Sequence, residues 1–320
     1  MFHIKKRGSV LIMLSAQDIK SVKGLGFLHN RGTNTFSARI ITENGMLTAD
    51  QIAILSEAAK LYGNGNITFT VRMTVEVQGV DFENIQPFRE YIKKGDMITG
   101  GTGAKVRPVV SCKGSTCVFG LYDTHSLAKE IHDEFFDGYS GVSLPHKYKI
   151  AVGGCPNNCV KPDLNDIGIV GQRVIKRDMD KCRGCKKCAV MNSCPMKCVS
   201  MDNKKIVVDD NECNNCGRCL SKCPFGVTND FEEMYKVYIG GRWGKKVRMG
   251  TPLSRLFTKS EILDVVEKSI LLFKSYGLAG ERFGDTVDRI GVDKVEALLI
   301  GNELLENKDD ILECIIKATI

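Results

Sequence analysis

Hydrophobic and polar positions alternate in two early stretches, "TFSARIIT" (35–42) and "ITFTVRMTVEVQGV" (67–80), and β-branched residues crowd both, so each predicts a strand. Between them "TADQIAILSEAAKLYG" (48–63) carries apolar residues at helical spacing; it predicts a helix capped by Thr48 or Asp50 and stopped at Gly63. "DFENIQPFREYIKKG" (81–95) predicts a second amphipathic helix. The strand–helix–strand–helix order implies an α+β unit over residues 30–100, with helices on one face of a sheet. A glycine-rich loop and a strand follow in "GDMITGGTGAKVRPVVSCKGSTC"; its Gly-Gly-Thr-Gly lacks the Gly-Lys-Ser/Thr of a phosphate-binding P-loop. Strand character returns in "YKVYIGGRWGKK", and the tail from Lys259 to Ile320 is helical, best defined in "SEILDVVEKSILLFKSYG".

At 320 residues, 43% hydrophobic and 26% charged, the chain is long enough for more than one core and has no apolar run of membrane-spanning length. The opening "MFHIKKRGSVLIMLSAQD" mimics a signal peptide, but its apolar stretch is too short and Asp18 and Lys20 follow at once. It is read as an N-terminal arm or edge strand within residues 1–29. The formal charge of +7 suits an anionic ligand or an acidic redox partner. Lys and Arg are dispersed with no aromatic-interleaved basic helix, which argues against nucleic acid.

Cysteine changes the picture most. Of fourteen, nine lie between Cys182 and Cys223, a clustering that indicates metal ligation in a reducing, cytoplasmic compartment instead of a disulfide framework. "ECNNCGRCLSKCP" supplies Cys213, Cys216, Cys219 and Cys223 before Pro224, the C-x2-C-x2-C-x3-C-P run of a [4Fe–4S] ferredoxin. "KCRGCKKCAVMNSCP" supplies Cys182, Cys185 and Cys188, then a longer gap to Cys194. In two-cluster ferredoxins the fourth cysteine of each run ligates the other cluster. One cluster then takes Cys182, Cys185, Cys188 and Cys223; the other takes Cys213, Cys216, Cys219 and Cys194, with Cys198 competing for the last corner. Zinc knuckles do not explain two triple-cysteine runs each followed by Cys-Pro. Residues 174–230 are therefore expected to form a ferredoxin module interrupting a larger domain of residues 101–173 and 231–320. Cys314 has no partner in sequence and is expected to be a buried helix residue.

Two pairs remain: Cys112 and Cys117 in "VVSCKGSTCVFG", and Cys155 and Cys159 in "KIAVGGCPNNCVKPDLNDIG". Four thiolates from two loops make a complete set for a third [4Fe–4S] cluster. Just upstream, "LPHKYK" puts Lys147 and Lys149 on alternate positions of a short strand, sending both ammonium groups to one face, where an anion would relieve their repulsion.

"SCKGSTC" followed by "LPHKYKIAVGGCPNNCVKPDLNDIGIVGQ" resembles the sirohaem and [4Fe–4S] signature of sulfite and nitrite reductases. With an inserted two-cluster ferredoxin and the tail "GERFGDTVDRIG", the chain resembles the C subunit of anaerobic sulfite reductase and small dissimilatory-type enzymes. The resemblance implies an α+β fold: a ferredoxin-like half-domain followed by a sirohaem/[4Fe–4S] domain. It implies a sirohaem whose iron shares the Cys159 thiolate with the cluster. It implies that sulfite is bound by Arg39 in "FSARIIT", Arg107 in "AKVRPVVSC", Lys147 and Lys149. Arg72 in "VRMT" matches a basic residue near the macrocycle carboxylates, and Gly100, Gly101, Thr102 and Gly103 match a loop along the ring edge whose backbone N–H groups meet carboxylates. The first cysteine pair is C-x4-C where many members have C-x5-C, and the Arg39 segment lacks the family's Pro-Gly-Gly.

The reaction so implied is reduction of sulfite to sulfide with six electrons, three oxygens leaving as water. Lysine can donate protons, whereas arginine stays charged and clamps the anion. No dinucleotide or flavin fingerprint is visible, so electrons come from an external donor protein, a ferredoxin-like or flavoprotein subunit, through the ferredoxin module. Larger relatives build the site across two copies of this half-architecture, which implies a homodimer or hetero-oligomer here. Nitrite reduction on the same scaffold, and an electron carrier without catalysis, are the alternatives.

Overall fold

A computed structural model describes residues 14–318, which fall into two compact units that meet in sequence at Gly103 and Ala104. In the first unit, Phe27–His29 (β1), Thr35–Ile40 (β2), Ile67–Phe69 (β3) and Val75–Asp81 (β4) form an antiparallel sheet in the order β1-β2-β4-β3. Helices Ala16–Lys23 (α1), Ala49–Tyr62 (α2) and Ile85–Ile92 (α3) share its core, where Phe27, Phe36, Leu55, Val77 and Phe88 are fully covered. The Thr48 hydroxyl accepts the Gln51 N–H at 3.1 Å and the Gln51 side chain accepts the Thr48 N–H at 3.0 Å, a reciprocal cap that starts α2 where the sequence places it.

Two expectations change. The single run 67–80 is a hairpin, β3 and β4, turning at Val71–Met73, with Met73 at φ +60°. Residues 1–13 of the expected N-terminal arm lie outside the described residues, and from Leu14 to His29 the chain forms α1 and β1 instead.

The second unit is built on a mixed sheet of Val110–Ser111 (β5), Ile150–Gly153 (β6), Ile167–Lys176 (β7), Asp230–Ile239 (β10) and Thr251–Pro252 (β11), in the order β11-β10-β7-β6-β5. Strands β5, β6 and β7 are parallel; β10 is antiparallel to β7 and β11. Helix Thr124–Ile131 (α4) lies between β5 and β6, as parallel neighbours require a crossover. The core runs from Ile150, Val152 and Ile169 to Val266, Ile270 and Phe273 of the long helix Lys259–Tyr276 (α6). Phe283–Ile290 (α7), Val292–Ile300 (α8), Glu303–Glu306 (α9) and Lys308–Glu313 (α10) complete the tail. Cys314 follows α10 and is exposed, contrary to expectation: the helix ends one residue earlier and Ile311 is its buried position.

Strands β7 and β10 pair over their whole length, from Ile167 with Ile239 to Lys176 with Asp230. The first six residues of β7 are buried; the remainder, with Asp230–Glu233 opposite, leaves the core as a two-stranded ribbon. The intervening residues 177–229 hang on this ribbon without breaking the sheet, because their two ends are joined by ladder hydrogen bonds. They hold a short helix Ala189–Ser193 (α5), a hairpin Val199–Asp202 (β8) and Lys205–Val208 (β9), and a small core of Val190, Val199, Ile206 and Val227 against cysteine sulfurs.

Candidate iron–sulfur and anion site

Parallel pairing of β5 with β6 brings the two isolated cysteine pairs to the same end of the sheet. Cys112 directly follows β5; its N–H donates to the Val152 carbonyl at 3.1 Å and its Sγ accepts the Gly154 N–H at 3.1 Å. Cys117 closes the short turn Gly114–Thr116, and Cys155 comes two residues after β6. Burial pushes the Cys155 thiol up, and the neighbouring Cys112, Cys159 and Cys117 thiols push in the same direction, so the four form one group. Cys159 is its exposed member.

Glycine lets the two loops approach this closely. A Cβ on Gly154 would sit 3.0 Å from Thr124 Cγ2, 3.1 Å from Gly114 Cα and 3.3 Å from Cys112 Sγ. Gly154→Ala is therefore expected to cost about 1–3 kcal/mol through overpacking and to lower iron retention, read by thermal unfolding and iron assay. Among the described residues no three His, Cys, Asp or Glu side chains converge on a single ion position. A cube held by one thiolate per corner does not ask them to. The all-cysteine donor set fits such a cluster.

At the opposite end of the same strands lie the cations. Tyr148 is fully buried; its carbonyl accepts the Arg107 N–H at 2.8 Å, its N–H donates to the Lys105 carbonyl at 3.0 Å, and its hydroxyl hydrogen-bonds to Ser269 at 2.7 Å. Lys147 and Lys149 flank it just ahead of β6, not within it, and the extended backbone turns both away from the core. Burial lowers the affinity of Lys147 for its proton, and Arg282 and Arg107 lower it further, with Asp166 opposing. His146 is lowered by burial and then by Arg282, Lys147, Arg107 and Lys149, which places these four cationic groups near its ring.

Arg282, Asp166 and His146 were not singled out in sequence. Asp166 is fully buried; both its oxygens accept from Arg282 Nη2 at 3.0 Å, and Oδ2 also accepts the Lys149 N–H at 2.9 Å. Burial raises the Asp166 carboxyl, and Arg282 pulls it back down. The carboxylate thus ties the lysine segment to the start of α7.

Arg39 and Arg72 belong to the first unit. The β2–β4 register sets Arg39 opposite Glu76, and its guanidinium donates to Glu76 Oε1 through Nε at 2.9 Å and Nη2 at 2.6 Å, and to the Gly101 carbonyl at 3.4 Å. Arg72 sits at the β3–β4 turn. The Gly100–Gly103 loop lies beside Arg39, and the Gly100 N–H donates to the Arg39 carbonyl at 3.1 Å. Thr102 Oγ1 donates to the Lys23 carbonyl. Gly101 and Gly103 take φ of +68° and +85°, the left-handed region open to glycine.

In the 177–229 segment, Cys194, Cys198, Cys213, Cys216 and Cys219 line one cavity. Cys194 and Cys198 stand 3.4 Å apart, and Cys198 is pushed up to about 12 by burial, then by its hydrogen bond with Cys194 and by the Cys213 thiol. Both candidates for the cross-ligand therefore adjoin the second run. Cys182, Cys188 and Cys223 pack against the small core. The Arg173 N–H donates to the Asn215 carbonyl at 2.8 Å, and Arg218 lies 5.0 Å from the Phe119 ring. A cleft there is bordered by Cys155 on one side and Cys216 on the other.

A four-stranded α+β half-domain, then a mixed α/β domain with a tetra-cysteine centre and an interrupting cysteine-rich segment, define an iron–sulfur protein of the redox class. The chain belongs to the nitrite and sulphite reductase family: residues 102–308 match its 4Fe-4S domain and residues 29–95 its ferredoxin-like half domain. It is similar to the coenzyme F420-dependent sulfite reductase of Methanocaldococcus jannaschii, 30% identical over 273 residues, covering 84% of this chain but only 43% of that protein. It is similar to the C subunit of the anaerobic sulfite reductase of Salmonella typhimurium, 28% identical over 266 residues, with 75% and 73% covered. The fold matches the crystal structure of dissimilatory sulfite reductase I with a TM-score of 0.66 at 20% identity, covering 83% of this chain and 69% of that one. No helix among the described residues is long and apolar enough to cross a membrane.

Proposed function

We propose that the chain is the catalytic part of a sirohaem sulfite reductase, reducing sulfite to sulfide. The observation that carries this is the convergence of Arg107, Lys147, Lys149 and Arg282 at one end of the parallel strands whose other end carries Cys112, Cys117, Cys155 and Cys159. The four thiols would hold a [4Fe–4S] cluster, with Cys159, the exposed one, as the thiolate shared with sirohaem. When bound, these groups supply the low-potential electrons that the reaction consumes.

The chain's own residues bind and protonate. Arg107 and the lysines attract the dianion and hold it where charge builds on oxygen. Lys147 is suited to donate a proton, because burial and its cationic neighbours weaken its hold on it. Only the ammonium form donates. Activity against pH should therefore fall on the alkaline side at a pH below the ordinary lysine value of 10.5, where Lys147 loses its proton. In Lys147→Arg that limb should vanish while turnover drops by about 10²–10⁴, the scale of one general acid. A profile of kcat/KM from pH 6 to 10 checks both.

The two runs between Cys182 and Cys223 would hold two further clusters, feeding the centre across the cleft between Cys216 and Cys155. Relatives named as subunits favour an oligomer, homodimeric or with donor subunits, which sedimentation of the intact protein would reveal. Nitrite is the second reading, since the family carries both anions. Anaerobic assay with reduced viologen decides: sulfide from sulfite supports the proposal, ammonia from nitrite with no sulfide overturns it.

A further inference from the structure

The loop of the first cysteine run reads Lys181-Cys182-Arg183-Gly184-Cys185-Lys186-Lys187-Cys188, with a cation at every position that is neither cysteine nor glycine. Lys181, Arg183, Lys186 and Lys187 are all exposed. The fold adds more. The β8–β9 turn packs onto this loop: a Cβ on Gly184 would meet the Lys204 carbonyl at 2.5 Å, and Lys205 Nζ donates to the Cys182 carbonyl at 3.2 Å and to the Met179 carbonyl at 2.7 Å. The turn after Cys223 also arrives here, with a Cβ on Gly226 3.7 Å from the Lys181 stem, flanked by exposed Lys222 and exposed Phe225.

Six exposed cations, Lys181, Arg183, Lys186, Lys187, Lys204 and Lys205, thus lie in or against the Cys182–Cys188 loop, with three carboxylates, Asp178, Asp180 and Asp202, near them. Of these cations, among the described residues, only Lys181 has an ion pair, to Asp178 at 2.8 Å. Like charges held this close repel one another, and exposed pairs with their own chain would have been the inexpensive remedy. The other run has the opposite character: Asp209, Asp210 and Glu212 precede it, with Asp210 bound to Arg177. The second run faces the Cys155 loop across the cleft, and none of the residues from Cys182 to Cys188 borders that cleft.

We propose that this cationic collar is the docking surface for an acidic iron–sulfur or flavin electron-carrier protein, and that the Cys182–Cys188 end is where electrons are taken up. The inference rests on the redox reading above and adds which end faces the donor and what chemistry the donor presents. At each encounter the carrier is oxidised by one electron and the chain reduced by one. Carboxylates around the carrier's own redox centre meet the collar, steering the encounter and fixing its orientation.

The test uses the full cluster-loaded chain and an immobilised acidic two-cluster ferredoxin. Binding is measured at about 20 mM and about 300 mM salt, a range over which exposed charges pass from weakly to strongly screened. The wild type should bind at least tenfold more weakly at high salt. Lys186→Glu/Lys187→Glu should weaken low-salt binding at least tenfold and flatten the salt dependence, whereas Lys60→Glu, on α2 of the first unit, should change neither. If the double variant loses its brown chromophore, Lys204→Glu, which lies in a hairpin turn and not between cysteines, is read instead. Variants that bind the ferredoxin like the wild type at both salt concentrations overturn the proposal. The readout is affinity, so a chain that fails to reduce sulfite still reports on the collar, and a failed collar leaves the sulfite assay untouched.

Discussion

Cys159→Ser is expected to abolish sulfite turnover while leaving a folded protein that still contains iron and labile sulfide. Cys112 is fixed by the Val152 carbonyl and the Gly154 N–H, and Cys155 is partly buried beside three other thiols, whereas Cys159 is exposed at the edge of the group. Loss of an inner thiol should cost the cluster. Loss of Cys159 should cost first whatever the exposed sulfur also holds, which in the proposed reading is the macrocycle. The spectrum of anaerobically purified variant should lose its Soret and red-region chlorin bands and keep the broad iron–sulfur shoulder. Turnover should fall by at least about 10³, more than removing one oriented donor from an active site costs.

Arg282→Ala is expected to be the most destabilising single change outside the cysteines. It leaves the fully buried Asp166 carboxylate without its cationic partner, and breaking a buried pair in this way costs about 3–5 kcal/mol. The pH dependence has a definite sign. Burial already raises the Asp166 carboxyl above its unfolded value, and Arg282 is what restrains it. A raised folded-state value gives stability that is present below the unfolded value and lost as pH rises through the folded one. The deficit of Arg282→Ala should therefore be smallest in acid, where Asp166 is protonated, and grow towards neutrality. Asp166→Asn, which keeps a hydrogen-bond acceptor for the Lys149 N–H, should be milder. Urea unfolding at pH 5 and pH 7.5 separates the cases. In Arg282→Ala KM for sulfite should also rise, because the guanidinium is one of the cations gathered beside Lys147 and Arg107.

What was legible in the sequence was what is local. The cysteine runs could be read because a cluster takes three ligands from one tight turn, so spacing alone encodes the site. The α2 cap at Thr48 and the long α6 were equally readable, their signals lying within a few residues. The hairpin at Val71–Met73 was not: it lacks glycine, proline, Asn or Asp, and Met73 takes the left-handed conformation without the residue type that announces one. The Asp166–Arg282 pair was invisible for another reason. The two residues are 116 apart in sequence, and only the packing of α7 against the sheet brings them together. Arg39 shows the limit of a local match, since it is Glu76 on the neighbouring strand that decides where its guanidinium points. The ribbon that carries the inserted segment was likewise hidden, because β7 and β10 pair across the whole 177–229 segment that separates them in sequence.

The central claim is that one chain joins a tetra-cysteine cluster to a sirohaem and carries two more clusters in its inserted segment. Quantifying iron, acid-labile sulfide and extractable sirohaem per chain in anaerobically prepared protein tests it directly. The account predicts iron and sulfide for three cubes, with one macrocycle and its additional iron. Cubes present in full, together with no macrocycle either bound or taken up on reconstitution, would contradict it.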